Sequence, residues 1–481
     1  MAVTTSPSTA TESNAAPWET PSGSSLTWLL VGAVCLAAGA LLLLLAAVQT
    51  VAPGVLTIGA STTVGRVRPA AFILLVYGGL GMVGSGVALD VARRLAKAPV
   101  QLERLARGAG ALTTLGVVLS ALAVLAGHGN GRTGFEMPRG LAVVIAVGQL
   151  LVLCSVLRTV AKRVTDEVHP ALWFIVAGLV AAPFVIAAGA LPRVHGVNDE
   201  LVLAFGLSGL KLLWLIPVGI GTALYVVPAA SRAPLHSRRL AVIAFWGWFL
   251  AAPFAGPVRL LGGPAQDWVE TVGVAASIAL AVPVLAVVVL LCSTYARRTS
   301  LAHDIDLRFA LAGAGLIALW GLLAAATSGR TAGDLLHATV FADGLAELAL
   351  HGVAGAFLLA GLFHALPIVS GNQLANPRVA GAAVWLLAGG ATLVALSLLV
   401  AGYVEGSLWA QGVRDGLPNT GARDFLPVFD AMRPLLWLRA IGEGLVLLAF
   451  GAAFQQVFST SASGEPIDEV PNAPAGLPAR G

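Results

Sequence analysis

Apolar positions in this chain come in long unbroken runs, with little of the alternation that marks half-buried strands or surface helices. From Ser25 onward the sequence divides into apolar stretches separated by short, arginine-bearing polar segments. A hydrocarbon core about 30 Å thick needs about 20 helical residues to cross it, so stretches of this length read as membrane spans. Twelve are expected, over 25–48, 69–92, 107–127, 139–161, 168–192, 200–228, 239–262, 268–295, 307–327, 336–369, 378–403 and 433–457. The expectation is an all-α integral membrane protein with one twelve-helix domain over 25–457. The flanking segments 1–24 and 458–481 are polar and rich in Ser, Thr, Pro and Gly, and are expected to be disordered tails. Residues 1–24 contain no Lys or Arg, so no cleavable signal peptide is expected there.

Charge orients the spans. Arg93, Arg94, Lys97, Arg104 and Arg107 follow the second, Lys162 and Arg163 the fourth, Arg238 and Arg239 the sixth, and Arg297 and Arg298 the eighth. Basic loops stay on the cytoplasmic side, which places both termini in the cytoplasm and the chain in the plasma (inner) membrane. The longest connection, 404–432, then lies outside and is expected to form a structured cap around Trp409, Arg414, Asp415, Arg423, Asp424 and Asp430.

The composition agrees: 57% of residues are hydrophobic and 11% charged, and the mean hydropathy is +0.87. That excludes a soluble globular chain. The net charge of +4 is scattered through short loops, so the lipid bilayer is an expected partner and nucleic acid is not. Cys35, Cys154 and Cys292 all fall within apolar stretches without paired spacing, and read as small packing residues.

One stretch departs from the rest. Leu336–Gly371 is long enough to cross a membrane, yet it carries Asp343, Glu347, His337, His351 and His364. Ionisable groups inside a bilayer are costly, and each is a candidate functional residue. His351 follows Glu347 by four positions, so the two share a helix face. His337 lies fourteen positions before His351; on a straight helix that spacing keeps the face but separates them by about 21 Å, too far for one metal ion. Lys211 stands one turn after Ser208 in the sixth span.

Four segments together resemble the catalytic subunit of the haem-copper oxidases, closest to the cbb-type cytochrome c oxidases and next to the nitric oxide reductases. They are GRVRPAAFILLVYGG at Gly65–Gly79, AGPVRLLGGPAQDWVETVG at Ala255–Gly273, the stretch just described with its Ala365–Pro367 ending, and AGYVEGSLW at Ala401–Trp409 with AMRPLLWLRAIG at Ala431–Gly442. The resemblance implies a subunit I-like bundle within a respiratory complex. It also implies six histidines, two for a low-spin haem, one for a high-spin haem and three for copper. Carried onto this chain, those positions fall between Pro69 and Ala71 and at Ser208, Val258, Arg259, Leu345 and Glu347; the family's tyrosine near copper falls at Ala252. Val and Leu have no donor atom, and Arg is permanently cationic. No haem, copper or other metal is therefore expected, and no catalytic residue is assigned.

A polar core of Lys211, Arg259, Asp343, Glu347, His351 and Arg439 is expected in place of the cofactors, with Glu347 as acceptor for Arg259 or Lys211, because buried charges persist when paired. Arg439 matches an arginine of the family pattern, either as an ion-pair partner or as a haem-propionate contact. The leading functional expectation is a non-catalytic paralogue acting as an accessory, assembly or regulatory component of a respiratory complex. The alternatives are a redox enzyme with a relocated haem ligand such as His351, and a small-molecule or ion conduit through the emptied core.

Overall fold

Among the described residues, twelve helices are long and apolar enough to cross a membrane. The structure is a computed structural model that describes residues 22–192, 196–299, 304–414, 422–464 and 466. In chain order the helices are α1 (Gly23–Val51), α2 (Val64–Ala96), α3 (Glu103–Leu125), α4 (Arg139–Ala161), α5 (Pro170–Ala190), α6 (Val197–Ser231), α7 (Arg238–Leu260), α8 (Asp267–Ala296), α9 (Ile305–Thr327), α10 (Val340–Ser370), α11 (Pro377–Arg414) and α12 (Ala422–Ser463). Among the described residues the only β pairing is an isolated bridge between Asn372 and Pro466.

The twelve expected spans each find their helix. Large apolar side chains such as Trp385, Phe184, Leu250 and Leu322 are exposed on the outer surface, where a bilayer would cover them. Two helices stand apart. In α2 and α10, 89% of the most apolar window is buried, against 39–67% in the other ten. The polar stretch singled out in the sequence is thus one of the two central helices, with α6 next at 67%.

These three helices share a backbone feature. Each contains a π-helical segment: Ile73–Leu80 in α2, Leu210–Leu215 in α6 and Leu348–Ala354 in α10. Such widened turns disturb the regular hydrogen-bond ladder and recur at functional sites. In α6 the carbonyl of Leu212 accepts a 2.7 Å bond from the indole N–H of the fully buried Trp248 of α7. Elsewhere, small residues bring backbones together. A Cβ on Gly256 would lie 2.7 Å from Ser208 Oγ and 2.8 Å from the Ala204 carbonyl, so only glycine lets the end of α7 close on α6.

Four expectations change. The stretch from 336 is broken: a short helix, Arg330–Leu336, ends at His337, and α10 starts at Val340. His337 and His351 therefore do not lie on one helix. The connection 404–432 is no separate cap in its described part, because α11 runs on to Arg414 and α12 begins at Ala422; Asp415 lies outside the described residues. Residues 23–24 and 458–463, expected in the flanking segments, are helical, since α1 starts at Gly23 and α12 continues to Ser463; residues 1–21 and 467–481 lie outside the described residues. So do His195 and His303. Arg93 and Arg94 are not loop residues: both lie in the last turns of α2, buried against Asp90 at 2.5 and 3.1 Å. The acid one turn earlier lets the helix keep these cations inside.

Candidate functional site

Helix α10 is started by two oxygens. Thr339 Oγ1 accepts the N–H of Phe341 at 3.2 Å, and Glu405 Oε2 of α11 accepts the N–H of Val340 at 2.9 Å. These caps satisfy donors that a helix start leaves free. They also fix the rotation of the turns that carry Asp343, Glu347 and His351.

From there four polar contacts follow. Asp343 pairs with Arg68 of α2 at 3.0 Å, and both remain about half exposed. Glu347 Oε2 lies 2.9 Å from His351 Nδ1, one turn on. Glu347 Oε1 lies 3.7 Å from Arg439 Nη2 of α12, and Arg439 Nε lies 3.8 Å from Glu443 Oε1, again one turn on. The four residues of this last cluster are buried or nearly so: His351 is 2% exposed, Glu443 1% and Arg439 6%.

Two adjoining cavities lie beside it. The larger, of about 380 Å³, is lined by Arg68, Glu136, Lys211, Arg259, Asp343, Glu347 and His351, with Pro69 and Phe72. The smaller, of about 120 Å³, is lined by Ser208, Lys211, Val258, Arg259, His337 and Leu345. Lys211 and Arg259 line both. The positions at which the family resemblance places histidines thus converge on this pair of cavities: Ser208, Val258, Arg259 and Leu345 on the smaller, Arg259, Glu347 and the neighbourhood of Pro69 on the larger. Ala252, where the resemblance places the family's tyrosine, is buried at the start of a 3₁₀ turn in α7 and offers no hydroxyl.

The expected pairing is rearranged. Among the described residues, neither Lys211 nor Arg259 has an ion-pair partner within the contact distance; Glu347 instead serves His351 and Arg439. Arg259 sits in a 3₁₀ turn, Gly256–Leu260, on the cavity wall, whereas Arg439 approaches Glu347 from the adjacent α12. Of the remaining histidines, His364 Nδ1 lies 2.7 Å from Asp306 of α9, with its ring edge-on to Tyr225 at 5.3 Å. His337 lines the smaller cavity, where burial pushes its pKa down.

The sequence reading does not single out three residues of the site: Arg68, Glu136 and Glu443. Glu443 follows Arg439 by four positions, a spacing that signals an ion pair on one helix face. Glu136 lies in the connection between α3 and α4; burial raises its carboxyl pKa, against backbone hydrogen bonds and the charge of Arg68.

The family model for cytochrome c and quinol oxidase polypeptide I matches residues 24–445. The chain belongs to this family. Cytochrome c oxidase subunit 1 of Rhodobacter capsulatus is 24% identical over 411 residues, which is 80% of this chain and 74% of that one. The cbb3-type cytochrome c oxidase subunit CcoN1 of Stutzerimonas stutzeri is 23% identical over 354 residues, 69% of this chain and 73% of that one. A solved haem-copper terminal oxidase dimer matches in fold with a TM-score of 0.73 at 13% identity, over 96% of this chain and 87% of that chain. The chain is a cytochrome c oxidase subunit I-like membrane protein with the bundle of that family.

Proposed function

We propose that this chain is a non-catalytic, haem- and copper-less member of the family that serves as an accessory, assembly or regulatory component of a respiratory complex. The observation that carries this reading is the donor set around the two cavities. Ser208, Val258, Arg259, Leu345 and Glu347 occupy the positions that the resemblance assigns to histidines. Valine and leucine offer no donor, and a guanidinium repels a metal cation. Among the described residues, only His351 brings an imidazole to the larger cavity and only His337 to the smaller, on different helices. Such a set does not fit a copper ion held by three imidazoles beside a haem held by a fourth, so no oxidase step is derived through those groups.

The scaffold remains available for assembly. A shared fold does not carry the family's chemistry once its ligands are replaced, but its lipid-facing and subunit-facing surfaces are independent of those ligands. The test is an absorbance spectrum and a pyridine haemochrome assay on the detergent-purified protein, with copper measured by elemental analysis. The expected result is no stoichiometric haem and no copper. One haem per chain would overturn the reading and return the chain to electron transfer, with His351→Ala then expected to abolish the Soret band. Co-purification of other respiratory subunits with the tagged chain would support the accessory role.

A further inference from the structure

We propose that Glu347, His351 and Glu443 form a mononuclear site for a divalent first-row transition-metal ion, reached from the larger cavity. One imidazole nitrogen and one oxygen from each carboxylate all lie within 4.8 Å of one another. An ion bound at about 2.0–2.2 Å from each ligand draws such atoms to within about 4.2 Å, so small side-chain rotations close the site.

The unsatisfied atoms point the same way. Both carboxylate oxygens of Glu443 are buried without a hydrogen-bond partner, and so is His351 Nδ1. Nδ1 lies 2.9 Å from Glu347 Oε2, yet the approach is not aligned as a hydrogen bond. Buried polar atoms are normally satisfied, and a cluster that is not asks for an ion, a water or a proton. Arg439 explains the division of labour. It faces Oε1 of Glu347 and Oε1 of Glu443, so the ligating oxygens are Oε2 of Glu443 and Oε2 of Glu347, the latter already beside His351 Nδ1 at 2.9 Å. Outer-shell partners of this kind orient ligating carboxylates.

Access and ion class follow from the surroundings. Glu347 and His351 line the larger cavity, which gives an ion a route. One imidazole and two carboxylates, without thiolate, suit Mn²⁺, Fe²⁺ or Zn²⁺ and disfavour Cu⁺. Three protein ligands are too few for Ca²⁺, which takes six to eight oxygens. The two carboxylates oppose the charge of the dication together with that of Arg439.

The experiment uses the full chain in detergent, stripped with EDTA and dialysed against Zn²⁺ or Mn²⁺ in turn. Metal per chain is read by mass spectrometry, and Mn²⁺ coordination by pulsed electron paramagnetic resonance. The expected result is one ion per chain, with nitrogen modulation from His351. Glu443→Gln should weaken binding at least about tenfold, while Asp306→Asn, at the His364 pair, should leave it unchanged. Absence of stoichiometric uptake of either metal by the wild type overturns the site, as does full-affinity binding by both Glu443→Gln and His351→Ala. If those variants do not fold, the wild-type resonance decides: bound Mn²⁺ without nitrogen coupling overturns the assignment. Haem content is read on the same preparation, so failure of this site and failure of the proposed function are separate results.

Discussion

Glu347 divides its two oxygens between two helices: Oε2 faces His351 Nδ1 at 2.9 Å on α10, and Oε1 faces Arg439 Nη2 at 3.7 Å on α12. Arg439 in turn reaches Glu443 at 3.8 Å. One arginine therefore stands against two buried carboxylates. Removing it strands both, and breaking a buried ionic cluster costs about 3–5 kcal/mol. Arg439→Ala is expected to lower the thermal unfolding temperature markedly in detergent. Adding Glu443→Gln to it should recover part of the loss. If the double variant is no more stable than the single one, the coupling is absent.

Asp90 holds a comparable cluster toward the far end of α2. Arg93 and Arg94 are each 1% exposed and both contact the same carboxylate. Asp90→Ala takes that carboxylate from two buried guanidiniums, and a loss of about 3–5 kcal/mol is expected. Arg68–Asp343 makes the contrast. Its side chains are 48% and 41% exposed, so Asp343→Asn is expected to cost no more than about 1 kcal/mol. Parallel unfolding curves check both, and equal losses would refute the distinction.

The helices are legible in the sequence because membrane spans obey a length rule, and α10 is legible because its charges violate the composition rule. Other features are hidden for physical reasons. The break at 337–339 lies within an apolar run, and only Thr339 as a capping residue marks it. The π-helical segments change backbone pitch without changing hydropathy. The partner of Glu347 is not legible either. The need of buried charges for partners points to Arg259 or Lys211, while Arg439 reaches it across a helix contact that no sequence spacing encodes. Glu443 is within reach of a sequence argument, one turn from Arg439.

His169 supplies a pH-dependent element outside the spans. Its Nδ1 accepts the N–H of Ala171 at 3.2 Å and so caps α5. Burial, with the Arg238 guanidinium, pushes its pKa down from 6.5 to about 4. A depressed folded pKa favours the neutral ring in the folded state. Its contribution is therefore present above pH 6.5 and is lost as pH falls toward about 4. His169→Asn keeps a capping side chain without titrating, at a change of about 1 kcal/mol or less. The variant's stability is expected to vary less than the wild type's between those two pH values; equal pH dependence would exclude His169 as the source.

The last helix pair is held close by glycine. A Cβ on Gly442 of α12 would lie 2.9 Å from the Val394 backbone nitrogen and 3.0 Å from the Gly390 carbonyl of α11; a Cβ on Gly390 would lie 2.9 Å from the Gly442 carbonyl. Backbone atoms cannot rotate away as a side-chain end can, so a larger residue must separate the helices. Overpacking of this kind costs about 1–3 kcal/mol. Because Gly442 immediately precedes Glu443, the separation would also move a carboxylate of the proposed ion site. Gly442→Val is therefore expected to lower both the unfolding temperature and metal uptake, whereas Gly444→Ala, where no atom lies within 4 Å of the added Cβ, should change neither. Unfolding curves and metal content measured on the same two preparations test this, and a Gly442→Val protein with unaltered stability would show that α11 and α12 can part without cost.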